Sequence, residues 1–151
     1  MNGPLPSTRV FLADIPALPA DSKVRFLGCV KTYHVSTGHL VLEHNYPRVR
    51  KSGPKSKQHA PSITVDVNAV LEAVTWEELC VGAWVNVIGY VRQTSPALGD
   101  NVKEPAGSVF ASVHVDAVVI FSAGVVDLGE YEQILSESLD AEKVIRMTGS
   151  V

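Results

Sequence analysis

The feature that most constrains this chain is a succession of short apolar runs with a period of two between Lys23 and Gly89. They are Lys23 to Lys31 (Lys-Val-Arg-Phe-Leu-Gly-Cys-Val-Lys), Leu40 to His44, Ile63 to Val67, and Trp84 to Val91. With Val113 to Phe121 as a fifth strand and little helix between the runs, the pattern predicts an all-β fold: a small, five-stranded barrel closed in Greek-key order. Barrels of this size commonly hold single-stranded nucleic acid or associate with another barrel subunit.

The first strand extends from Lys23 to about His34, with Lys23 and Arg25 outward and Val24 and Phe26 inward. Gly28 interrupts it. A glycine inside a strand marks a bulge or sharp bend, and a strand that serves both halves of a barrel needs such a bend. Ser36-Thr37-Gly38 closes a tight hairpin to the second strand, Leu40 to His44. In the third strand Ile63, Val65 and Val67 alternate with Thr64 and Asp66. In the fourth, Val85, Val87, Gly89 and Val91 share one face, and Trp84, Asn86, Ile88 and Tyr90 share another that is too apolar for solvent and must be covered. Residues 45–62 and 92–108 read as long polar loops. For Asn68 to Cys80 a short helix and a distorted strand extension both fit, and Thr75 with Glu78 suits a capping box.

A chain of 151 residues suits one domain, 1–151, able to bury roughly 68 to 70% of its unfolded surface. It divides into a proline-rich strap over one end of the barrel (1–22), the barrel (23–122) and a terminal helix (127–147). The helix opens at Asp127, which can cap it while Glu130 reaches back. At 100° per residue, Leu128, Tyr131, Ile134, Leu135, Leu139 and Ile145 fall in an arc of about 140°, with Glu132, Glu137 and Asp140 outside it. That arc predicts a buried stripe. Cys29 and Cys80 lie in apolar runs without metal or redox spacing and read as reduced core thiols, which points to cytosol or nucleus. The apolar run Val10 to Ala13 is cut short by Asp14 and Pro16, so neither a signal peptide nor a membrane span is expected.

The net charge of −3 is unevenly placed: residues 1–65 carry nine Lys or Arg against three acids, residues 66–151 four against thirteen. Between His44 and Asp66 lie Arg48, Arg50, Lys51, Lys55 and Lys57 with no acid, flanked by Tyr46, while Arg25, Lys31 and Tyr33 belong to the first strand. A cationic track with aromatic platforms is the pattern of single-strand binding. The competing reading is a solvated loop with too few aromatics to hold bases. No nucleophile elbow, phosphate loop or helical His-Glu pair occurs, and His34, His39, His44, His59 and His114 stand singly, as solvated or strand-face residues. Catalysis, a metal and a cofactor are therefore not expected. Partner binding is the stronger signal, because the helix stripe and the outer residues Trp84, Ile88 and Tyr90 offer more apolar surface than a barrel easily covers. The alternative is that helix and outer face cover each other.

Several strings, taken in order, resemble the Ten-one family, the smallest subunit of the CST telomere-capping complex, in its fungal form. They are Val10 to Pro16 with Leu18-Pro19, Ser22 to Val30, Leu40 to His44 and Val81 to Val91. Val126 to Tyr131 also resembles the start of the terminal helix in the replication protein A small subunit, a structural relative. The resemblance implies an OB-fold barrel whose terminal helix packs beside a helix of the Stn-one subunit, making Leu128, Tyr131, Ile134, Leu135 and Leu139 partner contacts. It further implies a nuclear, telomeric complex with a Cdc-thirteen-like large subunit, serving chromosome-end protection and lagging-strand fill-in. From the scarcity of stacking residues, only weak, salt-dependent binding of G-rich single strands by this chain alone is expected. A general single-stranded-DNA complex of the replication protein A type and a small ligand-binding barrel are the alternatives.

Overall fold

The structure is a computed structural model that describes residues 6–47, 60–94 and 112–148. Its strands are β1 (Thr8–Arg9), β2 (Lys23–His34), β3 (His39–Glu43), β4 (Ser62–Asp66), β5 (Trp84–Thr94) and β6 (Ser112–Ser122). They pair in the order β1-β2-β3-β4-β6-β5, and β5 returns to β2, so the sheet is closed. The five expected strands are all present. The sixth, β1, comes from the proline-rich strap and runs parallel to β2, with Thr8 opposite Val24 and Arg9 opposite Arg25.

Closure rests on β2, which pairs with β5 from Lys23 to Cys29 and with β3 from Cys29 to His34. The register shift in β2 falls between Val30 and Thr32, not at Gly28. Gly28 is required for space instead: a Cβ there would sit 2.9 Å from Leu42 Cβ and 3.4 Å from Leu12 Cδ1. The strap likewise does more than lie over the barrel. After β1 it forms a 3-10 turn, Leu12–Ala17, whose Leu12 and Ile15 are fully buried in the core with Phe26, Leu40, Leu42 and Val87. At the hairpin, Gly38 adopts φ +69°, and any side chain would collide with Asn68, whose amide donates to Thr37 O at 2.9 Å. Residues 68–80 resolve into a 3-10 turn, Asn68–Val70, and the single-turn helix α1, Trp76–Leu79. The Glu78 carboxylate accepts from Thr75 N at 2.8 Å, as the capping box predicts. Cys29 is half-buried and Cys80, just after α1, is exposed, so neither is the core thiol expected. For Cys80 an apolar neighbourhood in sequence did not translate into burial because the connector around α1 lies on the surface.

The pairing of β5 with β6 contains a bulge. Ile88 faces Val119 while Gly89 faces Ala117, leaving Val118 as the extra residue. The bulge reverses the phase of β6, burying Val115 and Ala117 before it and Ile120 after it. This explains why that run is apolar on both faces. At Gly89 the opposing backbone comes so close that a Cβ would strike the carbonyl oxygen of Asp116. Backbone cannot yield as a flexible side chain can. Gly28→Val should therefore cost about 1–3 kcal/mol by overpacking, a drop of several degrees in thermal midpoint, and Gly89→Val should cost more. Melting by circular dichroism checks both; midpoints within a degree of the parent would contradict these close approaches.

Candidate partner and nucleic-acid surfaces

The terminal helix α2 spans Leu128–Thr148 and begins as the sequence requires. Asp127 Oδ1 accepts from Glu130 N at 3.1 Å and Asp127 O from Tyr131 N at 3.0 Å. Its buried face is not the predicted stripe. Leu135 is 3% exposed and Glu132 7%, with Leu128, Tyr131 and Leu139 half-buried, whereas Ile134 is 53% and Ile145 67% exposed. The face turned to the barrel is thus rotated by about 60° from the centre of the predicted arc. Two members of the stripe point outward, and a glutamate assigned to solvent points in.

Glu132 enters an aromatic cluster built around His44, which the sequence reading placed on a solvated strand face. His44 is buried, its ring meets Trp84 edge-on at 5.6 Å, and Phe11, Tyr46 and Tyr131 lie 6.1 to 6.3 Å from it. Tyr46 stacks on Phe11 at 4.2 Å. His44 Nε2 stands 3.8 Å from Glu132 Oε1, too far for a hydrogen bond, and has no other hydrogen-bond partner among the described residues. Signals for this site were present: His44 continues the inward parity of Leu40 and Leu42, and Glu132 lies one helical turn from Leu128 and close to the line of Leu135 and Leu139. Phe11 and Leu27 are also buried yet stand outside the barrel's central cluster.

The outer faces of β5 and β6 carry the other partner candidates. Trp84 is turned to His44, while Ile88 lies beside Arg25 of β2 and Val119 of β6. The Arg25 guanidinium sits 5.4 Å from the Phe121 ring, and Tyr90 lies under both Lys23 at 5.9 Å and Arg92 at 5.3 Å. Cation stems thus supply part of the cover that this apolar face demands. Val119 and Phe121 remain exposed at 43% and 36%. Burial raises the Tyr131 hydroxyl above its usual pKa despite the opposing influence of Arg9 and Arg25, which places these cations near the helix. Arg92 Nε also donates to Asp116 at 2.9 Å, and its guanidinium pairs with Asp21. Burial acts to raise Asp66, but the Asn68 backbone and side-chain donors at 3.0 and 2.8 Å, with His39 and His114 nearby, hold it below the usual carboxylate range. Among the described residues no three His, Cys, Asp or Glu are placed to hold a metal.

The described nucleic-acid candidates, Arg25, Lys31, Tyr33 and Tyr46, do not form one track. Arg25 lies on the outer face against Phe121, Lys31 is exposed at the shift in β2, and Tyr33 packs against the barrel core, so it is not a free stacking platform. The reason is the register shift after Val30, which changes which β2 side chains face inward. Tyr46 already has one ring face on Phe11 and lies beside Gly129, Glu132 and Gln133 of α2. Arg48, Arg50, Lys51, Lys55 and Lys57 lie outside the described residues.

The buried imidazole has a consequence for stability. Burial disfavours its charged form more than Glu132 favours it, so the His44 pKa lies below its usual 6.5. Below that pH the unfolded chain takes up a proton that the folded chain resists, so stability present at pH 7 is lost as pH falls toward the folded value. Melts between pH 7.5 and 5 should show a falling midpoint, and His44→Gln should flatten part of the fall. An unchanged slope in that variant would show that His44 is not the group responsible.

This geometry, a closed small barrel with a capped terminal helix against one side, has known counterparts. A chain in the crystal structure of the S. pombe Stn1-ten1 complex aligns with TM-score 0.60 and 26% identity, covering 91% of this chain and 96% of that one. The crystal structure of telomere capping protein Ten1 from S. pombe aligns with TM-score 0.58 and 26% identity, covering 89% and 99%. No curated protein matches the chain. The family model for Ten1, described as telomere capping, CST complex subunit, matches residues 1–136. The chain belongs to the Ten1 family of telomere-capping CST complex subunits.

Proposed function

We propose that the chain works as a non-enzymatic subunit at telomeres in the nucleus, heterodimerising with an Stn1 subunit through the outward row of α2. The observation that carries this reading is the row itself. Tyr131, Ile134, Ser138, Ala141 and Ile145 follow one another at spacings of three and four, the seam of a helix pair, and Ile134 is more than half exposed. Ser138 and Ala141 are small, so a second helix can approach closely along the row. Val119, Phe121 and Ile88 on the outer sheet extend the apolar surface beside Arg25, which lies near Tyr131. The similar S. pombe structure is of an Stn1-ten1 complex, which supports the choice of partner. Leu128 and Leu139 sit half-buried at the edge of this surface, and Trp84 and Tyr90 are engaged within the chain. Leu135 is the helix's anchor on its own barrel.

The two faces of α2 give a direct test by co-expression with an Stn1 subunit. Burying an isoleucine side chain contributes roughly 1.5 to 3 kcal/mol, so Ile134→Glu should weaken association at least tenfold while leaving circular dichroism and melting near the parent. Leu135→Glu should instead lower the melting temperature of the chain alone. Normal co-purification of Ile134→Glu would remove the row from the interface.

DNA contact is a secondary part of the proposal, assigned on charge to Lys31 with Arg48, Arg50, Lys51, Lys55 and Lys57. Stacking partners are scarce, since Tyr33 and Tyr46 are occupied within the chain. Binding of G-rich single strands by the isolated chain should therefore be weak and strongly salt-dependent, driven by counterion release. Replacing the five residues from Arg48 to Lys57 by alanine should reduce both affinity and the salt slope, by about 0.7 in the logarithmic slope per lost phosphate contact. Unchanged values would place the DNA contact elsewhere.

A further inference from the structure

On the other flank of α2 from the partner row lies a cleft of about 350 Å³, between the helix and the end of β3. From the charge of its walls and the acceptors left open in it, we infer that this cleft receives an arginine side chain from a partner protein. Glu43, His44, Trp84, Leu128 and Glu132 form most of its lining, with Cys29 beneath.

The first argument is a buried carboxyl group that no described cation faces. The Glu132 side chain is 9% exposed, and its one ion-pair partner among the described residues is His44, itself 4% exposed. Burial holds the imidazole toward its neutral form, so among the described residues no cation faces the buried Glu132 carboxyl group. Glu43 brings a second carboxylate to the same walls, and among the described residues no Lys or Arg lines them. The second argument is an open acceptor. A neutral imidazole protonated at Nδ1 presents Nε2 as a lone pair, and here Nε2 is buried with no hydrogen-bond partner among the described residues.

The spacing of the two acceptors selects the cation. Glu132 Oε1 and His44 Nε2 stand 3.8 Å apart, too far to satisfy each other but near enough for one planar donor fork to serve both. A guanidinium is such a fork, has no acceptor of its own to leave unsatisfied, and stacks on an aromatic wall, here the Trp84 indole. An ammonium would supply the charge without the planar pairing. A metal would need three converging ligands, which the described residues do not provide. The site is separate from the helix seam, so it stands or falls independently of the Ile134 row.

The test uses N-acetyl-arginine amide as probe and N-acetyl-citrulline amide as its uncharged counterpart, titrated into the isotope-labelled full chain. The Trp84 indole and His44 imidazole signals are followed, with the exposed Trp76 indole as an internal control. The arginine probe should produce a saturable shift at Trp84 and His44 and none at Trp76, with the citrulline probe at least tenfold weaker. Glu132→Gln and Glu43→Gln should each weaken the arginine response several-fold. Because Glu132→Gln can loosen the helix, its melting curve is recorded, and Glu43→Gln, on the half-buried strand position, decides if the first variant is unfolded. No saturable shift at Trp84, an equal response to citrulline, or full retention in Glu43→Gln overturns the inference.

Discussion

Everything in this fold depends on one strand pairing in two directions. The first half of β2 bonds to β5 and the second half to β3, exchanging partners at Cys29. The exchange requires the chain to pass close to the neighbouring layer, which is why Gly28 lies within 2.9 Å of the Leu42 side chain if given a Cβ. It also leaves the far side of the first half of β2 unpaired, because β3 begins only opposite its second half. The strap fills that position: β1 pairs there, and Val10 N donates to Arg25 O at 3.0 Å. Closure and strap together leave, among the described strands, little free edge by which a sheet invites another chain to add a strand, chiefly that of the two-residue β1. A partner is left with side-chain faces, of which the helix and the outer sheet offer the largest apolar areas.

The strands were legible because a half-buried strand writes its burial directly into alternate positions. Val85, Val87 and Val91 face the core as the alternation demands, and Ile63, Val65 and Val67 do the same. What alternation cannot encode is a change of phase. Val118, Val119, Ile120 and Phe121 form one apolar run, and only the bulge opposite Ile88 and Gly89 assigns them to faces. The same applies to Tyr33, which the shift after Val30 turns against the core. Gly89 looks like any strand glycine until the Asp116 carbonyl is seen beside it.

The helix was legible in extent and cap but not in orientation, for a physical reason. Apolar periodicity sums every surface a helix presents to something other than water, without regard to which neighbour provides the cover. Leu128, Leu135 and Leu139 serve the barrel, and Tyr131, Ile134 and Ile145 lie along the adjoining strip. Merged, they make one arc of about 140°, wider than the ~100° stripe that packing on a single neighbour requires. Its centre falls between the two faces. Glu132 escaped notice because a charge is counted against burial, although a buried carboxylate opposite an imidazole is chemically admissible.

That division of labour along α2 also bears on how firmly the helix is held. The described ion pair to the barrel is a single 3.8 Å contact between His44 and Glu132, and Leu135 is the one fully buried apolar anchor on the helix. A segment with few buried contacts sits at the low end of a protein's range of local stability. Any species that binds only the docked arrangement of α2 stabilises it in proportion to its affinity and concentration. The helix seam and the cleft flank the anchor from opposite sides, so cover on either one completes what Leu135 alone begins. The barrel is finished by its own strand pairing, whereas the surface around α2 is finished by association.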